Sequence, residues 1–455
     1  MPEQHRLSFF DQLAFELHRL TGRNQLMQCL WIYDTAVNRE ALEAVFARML
    51  VHRGNRLIEP SAVPFGRPRW VRDDRPQLSV EYGDTVLPRA QLMTWANAHA
   101  RLPIDPIAGP AWHLAVQGFD DGTHVISMFG SHLLADGIAA LRGIESAIVE
   151  SPAASPYQTR RARGTVTGVV ADVAQACRDI PRTVGAVAKI AGMALRQRRR
   201  VVPAVAGVPA APVLQRLTAA DAAQIVDLPA VTVVVALPVW NARAAALGGH
   251  LQSLLVAYCA RVAMRLQRRR PADGAVSLVI PVDQRDGPTD DRALAMGFRS
   301  MTLDPESVTE DLGAAHAALT SALNGTEKRN SMEALLPIIA WMPRATTAAM
   351  INRLFNYASA RPVTCSNIGE LPSVLGSIDG TPCRRLIARA VDVHVTRGEL
   401  ERTHGHLVVV ASRYHDQLSI AIEAYEPGAD HSVERLRDIA LRALADFGLD
   451  GQVES

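Results

Sequence analysis

The sequence predicts an α/β (α+β) protein arranged as two layered domains, and three observations carry that expectation. The chain has 455 residues, long enough for two domains. Hydrophobic residues make up 48% of it, ample for two buried cores. Strand-like apolar runs and amphipathic helical segments mix in both halves, with no fixed-period repeat.

In the first half, "LMQCLWIY" (Leu26 to Tyr33) reads as a strand by its apolar density. Asn38 then caps "REALEAVFARML", in which Leu42, Val45, Phe46, Met49 and Leu50 fall on one helical face. The Pro-, Arg- and Gly-rich "EPSAVPFGRPRW" is a loop, and "LMTWANAHARLPI" is helical. "AWHLAVQGFDDGTHVISMFG" reads as two strands joined at Asp120-Asp121-Gly122. "HLLADG" follows, then the helix "IAALRGIESAIV". Residues 151 to 165 break the pattern with Ser, Pro and Arg. The stretch from Val166 then runs helical and amphipathic, interrupted at Pro181 and ending in Arg196 and Arg198 to Arg200. The simplest reading is a long crossover whose apolar face covers the body; the alternative is an interfacial helix on lipid. "VPAVAGVPAAP" is a linker. Domain limits are therefore expected at 1–160, a crossover and linker over 161–213, and 214–455.

The second half opens with the strand "VTVVVALPVW" and the helix "HLQSLLVAYCARVAMRLQ". "AVSLVIPV" is a buried-type strand and "DQRDGPTDD" a loop. "EDLGAAHAALTSAL" is helical, as is most of "MEALLPIIAWMPRATTAAMINRLF". "TCSNIGELP" is a loop. "HLVVVAS" and "LSIAIEAY" are strands flanking the turn "HDQ", and "SVERLRDIALRALADF" is the last helix.

Formal net charge is only +2, so no global field recruits nucleic acid. The positive charge is nearly all Arg, with Lys only at Lys189 and Lys328. The five cysteines (Cys29, Cys177, Cys259, Cys365, Cys383) show no metal or redox spacing, which fits a reducing compartment. "MPEQHRLSFFDQ" does not read as a signal peptide, and no apolar run reaches the roughly 18 residues of a membrane span. The expectation is a cytoplasmic protein, with the segment from 166 to 195 able to make peripheral contact with the inner face of the membrane.

Among the motifs, "HLLADG" (His132 to Gly137) carries the most chemistry. A histidine titrates near neutrality and can take a proton from a hydroxyl and return it to a leaving group. The acidic residue at +4 can pair with an arginine and fix the loop. The glycine at +5 allows backbone N–H groups to face a developing oxyanion. Other candidates are weaker. His404-Gly405-His406 has no third ligand at a recognisable spacing and reads as a solvent-facing strand end, so no metal is expected. His113 and His124 read as satisfied partners on strands. The Arg198 to Arg200 and Arg268 to Arg270 runs read as solvated helix ends. No Gly-x-Ser-x-Gly, Walker or dinucleotide fingerprint occurs.

The second half adds "LVIPVDQRDG" (Leu278 to Gly287) and "CSNIGELP". With "FGRPRW", the apolar "PAW" before the motif strand and the opening "LSFFDQLAFEL", this order resembles the bacterial wax ester synthase/diacylglycerol acyltransferase family. That family belongs to the condensation-domain-like, CoA-dependent acyltransferases with a His-His-x-x-x-Asp-Gly motif, present here as Ser131-His132-Leu-Leu-Ala-Asp136-Gly137. The resemblance covers almost the whole chain.

It implies two chloramphenicol-acetyltransferase-like domains with an inter-domain active-site tunnel. By the resemblance His132 is the general base, Asp136 is structural and salt-bridged to Arg285, and Gly137 lies beside the oxyanion. Asn367 matches the Asn of the family's Asn-Val-Pro-Gly element. The sequence departs from the family at three places. Ser131 replaces the first histidine, Gln252 and Ser253 stand where the family carries Asn-Asp, and "SNIGELP" lacks Pro-Gly. The implied activity is transfer of a long-chain acyl group from acyl-CoA, as co-substrate, to an alcohol or lipid acceptor. No metal or redox cofactor is needed, and a monomer is the default. Two alternatives stand beside it: an acyl carrier-protein thioester as donor, and an inactive homologue that binds acyl groups.

Overall fold

A computed structural model of the protein describes residues 5–51, 55–64, 66–73, 79–150, 155–160, 162–199 (backbone only from 189), 217–287, 290, 292–325, 336–338 and 361–454. In chain order its first-half elements are α1 (Phe9–Thr21), β1 (Asn24–Tyr33), α2 (Arg39–Val51), β2 (Arg56–Glu59), β3 (Arg69–Arg72), β4 (Glu81–Tyr82), α3 (Leu92–His99), β5 (Trp112–Gly118), β6 (His124–Ser131), α4 (Gly137–Ile148) and α5 (Thr165–Arg199). The second half continues with α6 (Ala219–Ala223), β7 (Ala230–Ala236), α7 (Leu237–Ala246), α8 (Leu251–Arg265), β8 (Val276–Asp283), β9 (Met296–Leu303) and α9 (Gly313–Asn324). It ends with β10 (Val363–Glu370), β11 (Arg385–Val393), α10 (Arg397–Arg402), β12 (His406–Tyr414), β13 (Gln417–Tyr425), α11 (Val433–Ala445) and β14 (Gln452–Glu454).

Two sheets organise the molecule. The first runs β11-β1-β6-β5-β4 and the second β14-β7-β13-β12-β10-β8-β9. In the first, β1 is antiparallel to both β6 and β11. Side chains alternate across β1, so Trp31 and Tyr33 join Phe46 of α2 and Ile144 of α4, whereas Leu30 and Ile32 join Leu92 and Ala96 of α3. The second sheet is covered by α8, which is buried continuously from Ser253 to Ala260, and by Leu436, Ala440 and Leu444 of α11. Continuous burial suits a central helix whose apolar residues surround it.

Several expectations change. The run "VTVVVALPVW" stops being strand at Ala236; Pro238 sits in the first turn of α7, where its missing N–H costs nothing. "TCSNIGELP" is not a loop but belongs mostly to β10, paired in parallel with β12 and bulged between Asn367 and Gly369. Helix α5 continues through Pro181. The ends of the "EPSAVPFGRPRW" loop enter the β2–β3 hairpin. Helix α1, with its Ser8–Asp11 capping box, and strands β9 and β11 had no sequence assignment. β11 comes from the second half of the chain and completes the first sheet. The linker "VPAVAGVPAAP", nearly all of "MEALLPIIAWMPRATTAAMINRLF" and the side chains of Arg196 and Arg198 to Arg200 lie outside the described residues.

Candidate functional site

Strand β6 ends at Ser131, and the chain turns at once. His132 donates its backbone N–H to Gln25 O at 2.8 Å, and Leu134 N closes the turn on Ser131 O at 3.0 Å. Ser131 and His132 are thus successive residues at a strand end and point to opposite faces. Ser131 is buried and donates its Oγ to Asn24 Oδ1 at 3.0 Å. His132 lies half-buried on the other side. Burial lowers the His132 imidazole below its usual pKa, and the carboxylates of Asp136 and Asp392 partly offset that. The ring therefore favours the neutral, proton-accepting form.

Asp136 is the N-cap of α4, with Oδ1 accepting from Ala139 N at 2.9 Å. Arg285, at the end of the β8 strand-to-loop stretch, donates to both of its oxygens at 2.9 and 2.8 Å. Ala295 N donates to Oδ2 at 2.9 Å, and Asp136 N donates to Ala293 O at 2.9 Å. Both side chains are almost fully buried, at 2% for Arg285 and 5% for Asp136. Asp283 holds Arg285 from its other end at 2.9 Å. With its lone pairs so engaged, Asp136 clamps the motif turn to the β8–β9 connection and is not a hydrogen-bond partner of His132.

Gly137 opens α4 between the two halves. A Cβ there would stand 3.3 Å from Met27 Cε on β1 and 3.8 Å from Ile368 Cδ1 on β10. The residue before Ile368, Asn367, donates to Gln252 Oε1 at the start of α8 and accepts from Gly369 N at 3.0 Å. Gln252 is thereby a partner of Asn367. Ser253 is not: it is fully buried, capped by His250 and 3.4 Å from His316 Nδ1. The structure thus brings together His132, Asp136, Gly137 and Arg285, and sets the Asn367–Gln252 pair beside them through Ile368. It turns Ser131 and Ser253 away.

Beside the site lies a buried charge cluster that sequence reading missed. Asp392 pairs with Gln25 across the sheet, and Gln25 is the residue that His132 N–H contacts. Arg23 donates to Asp392 at 2.7 and 3.1 Å and to Glu399 at 3.2 Å. His406 Nε2 is 3.2 Å from both Asp392 and Glu423. His404 and His406 are both buried, at 6% and 9%, so the expected solvent-facing strand end is corrected. Burial alone would lower the His406 pKa, but its bonds to the two carboxylates win and raise it. Burial would raise that of Asp392, but Arg23 and His406 hold it far below the usual range. Burial holds the Glu423 carboxyl up.

Asp392, His406 and Glu423 present ligand atoms within 4.8 Å of one another, the spacing of a metal site. However, Arg23 already occupies Asp392 Oδ2 and lies 3.4 Å from His406 Nδ1. A dication would meet that guanidinium, so the cluster reads as ion pairing. Its five members, Arg23, Asp392, Glu399, His406 and Glu423, come from separate stretches of the chain, so no local spacing could have signalled it. Arg268 is corrected likewise: it is buried and donates to His404 O at 2.8 Å and Glu426 at 3.2 Å. Arg269 and Arg270 pair with Glu306 and Asp273. His113 and His124 contact the carbonyls of Pro103 and Gly122.

The mixed α/β fold built on these two sheets is that of condensation domains. Among solved structures the first condensation domain of the CDA synthetase shares it at 15% identity and a TM-score of 0.58, over 98% of this chain and 97% of that one. The wax ester synthase/diacylglycerol acyltransferase from Marinobacter aquaeolei VT8 does so at 15% identity and a TM-score of 0.56, over 98% of both chains. The starter condensation domain of rhizomide synthetase RzmA, as an arginine-to-alanine mutant in complex with C8-CoA, matches at 14% identity and 0.53, over 98% of this chain and 94% of that one. The mixed α/β, two-domain fold expected from the sequence is therefore the observed one. No family model matches the chain, and no curated protein matches it in sequence.

Proposed function

We propose that the protein is an O-acyltransferase that moves a long-chain acyl group from CoA to an alcohol or lipid acceptor. The observation that carries this reading is His132, half-buried, with its pKa lowered, beside a turn fixed by the Asp136–Arg285 pair. Among the described residues no other side chain is hydrogen-bonded to its ring, which leaves a nitrogen for a substrate proton. His132 takes the acceptor's hydroxyl proton as that oxygen bonds to the thioester carbonyl carbon. Backbone N–H groups at the start of α4, where Gly137 leaves room, hold the oxyanion. The C–S bond then breaks, and the proton passes from His132 to the departing thiolate. Acyl donor and acceptor meet in a tunnel between the two halves.

The test is thiol release from acyl-CoAs of increasing length, with and without alcohols, on wild type and His132→Ala. Acceptor-dependent release that falls by about 10²–10⁴ in the mutant is expected. Tight acyl-CoA binding without release in either protein would turn the reading to a carrier-protein donor or an acyl-binding protein. The likeness to condensation domains keeps the carrier-donor reading alive.

A further inference from the structure

Strand β1 carries two glutamines, on opposite faces of the sheet, and they differ in their partners. Gln28 is fully buried and fully engaged. Its Nε2 donates to Ala96 O at 2.9 Å and Ser127 Oγ at 2.8 Å, and its Oε1 accepts from Arg389 Nε at 2.8 Å. That is the ordinary state of a buried carboxamide. Gln25 is half-buried, and its carboxamide makes no hydrogen bond among the described residues. Its Nε2–H groups and Oε1 are open to a ligand.

Register puts this open carboxamide beside the base. Leu26 pairs with Ser131 across β1 and β6, and His132 N–H bonds Gln25 O at 2.8 Å, so Gln25 and His132 stand directly opposite each other on one face. Opposite residues hold their Cβ atoms ~5 Å apart. Both side chains carry Nε2 the same number of bonds beyond Cβ, so the two nitrogens reach equally far from the sheet. The face is partly open here: Gln25 and Met27 of β1, Met128 and Gly130 of β6, and Ala390 of β11 are half-buried, as is His132. Of these, only Gln25 and His132 have hydrogen-bonding side chains. An apolar surface with a few convergent polar groups is the usual form of a ligand site, and those groups fix the ligand's orientation.

The start of α4 borders the same surface, since a Cβ on Gly137 would stand 3.3 Å from Met27 Cε. Gln25 lies one strand repeat from Met27, ~7 Å. The reacting centre set by His132 therefore has backbone N–H groups on one side and a free carboxamide on another. In the acyl transfer proposed above, the hydroxyl proton goes to His132, and the thioester oxygen is the atom that gains negative charge. A neutral N–H donor favours such an oxygen, because its hydrogen bond strengthens as the charge develops. We propose that Gln25 is a catalytic residue that donates an Nε2–H to the thioester oxygen as the tetrahedral intermediate forms, alongside the α4 N–H groups. The role rests on the acyltransferase reading. No covalent bond to Gln25 forms or breaks, and its proton stays in place throughout.

Thiol release from palmitoyl-CoA with 1-hexadecanol, compared between wild type and Gln25→Met, tests this. Methionine keeps the length of the side chain and removes the donor, so kcat should fall by about 10²–10³ while KM changes by less than about threefold. The acid limb of the pH profile should keep its midpoint, since His132 is untouched. The melting temperature should stay within ~1 °C of wild type, since no hydrogen bond of the folded chain is lost. Gln25→Glu is the second variant, for the case in which Gln25→Met does not fold; its carboxylate repels the oxyanion and should lower kcat at least as far. A wild type that releases no thiol overturns the acyltransferase reading, and this role with it. An active wild type matched by Gln25→Met in kcat overturns the role of Gln25 and leaves the acyltransferase reading standing. So does a loss confined to KM, which marks ground-state binding, or a fall in kcat accompanied by a melting temperature several degrees lower, which marks a structural contact.

Discussion

Asp136→Ala removes the carboxylate that joins the motif turn to the second half, and the structure sets the size of the effect. The change strands Arg285, whose side chain is 2% exposed, and breaking such a buried pair costs about 3–5 kcal/mol. Arg285 keeps Asp283 at 2.9 Å and Arg292 O at 2.9 Å, which places the loss near the low end, about 3 kcal/mol. Loss of the cap on Ala139 N adds about 1 kcal/mol. The sum, about 4 kcal/mol, is a large part of the ~5–15 kcal/mol that holds a domain folded. Thermal melts followed by circular dichroism should show it as a drop of about 8 °C, at ~2 °C per kcal/mol. Arg285→Ala and the double variant complete a cycle. Because the partners share one buried network, the double loss should fall short of the sum by about 2 kcal/mol or more. A melting temperature within ~1 °C of wild type for Asp136→Ala, or strictly additive losses, would refute the clamp.

Three further outcomes follow from the same geometry. The His132 pKa is lowered, so the neutral base should be fully formed at pH 7 and kcat/KM should fall only on the acid side; an acid limb with its midpoint above the usual 6.5 counts against His132 as the base. The His406 pKa is raised, so its ion pairs stabilise the fold fully below pH 6.5 and lose that contribution as pH climbs through the folded value. The stability gap between wild type and His406→Gln, read from urea melts, should therefore narrow from pH 6 to pH 9, and a widening gap would show the sign to be wrong. Ser131→Ala removes one buried hydrogen bond to Asn24 and should cost about 1 kcal/mol of stability with kcat unchanged. A tenfold fall in kcat at full folding would put Ser131 back into the chemistry.

Local chemistry made parts of this protein legible from its sequence. Strand β1 announced itself by apolar density, and α2 by its 3.6-residue apolar spacing. The β5–β6 hairpin was marked by its turn residues, and "HLLADG" by a histidine, an acid and a glycine at working spacing. Each of these signals is complete within a dozen residues, because the backbone periodicity or the turn that produces it is itself local.

Other features depend on residues far apart in the chain. Strand β11 is more than 350 residues from β1, yet completes its sheet, and only the packed fold decides that pairing. The bulge that shapes β10 at Asn367 arises from pairing with β12, so the segment read as a loop. The direction of Ser131, away from His132, follows from the register of β1 and β6. The charge cluster around Asp392 draws Arg23, His406 and Glu423 from separate elements, and their protonation is set by mutual burial. The amphipathic periodicity of α5 was visible in the sequence, but the expectation that its apolar face covers the body is corrected: Val166, Val170 and Val184 are exposed, and Asp172, Gln175 and Asp179 are buried. Asp172 and Asp179 found Arg6 and Arg67, and those buried ion pairs left the apolar side facing out. Periodicity is a property of the segment; orientation is settled by what the rest of the chain offers to each face.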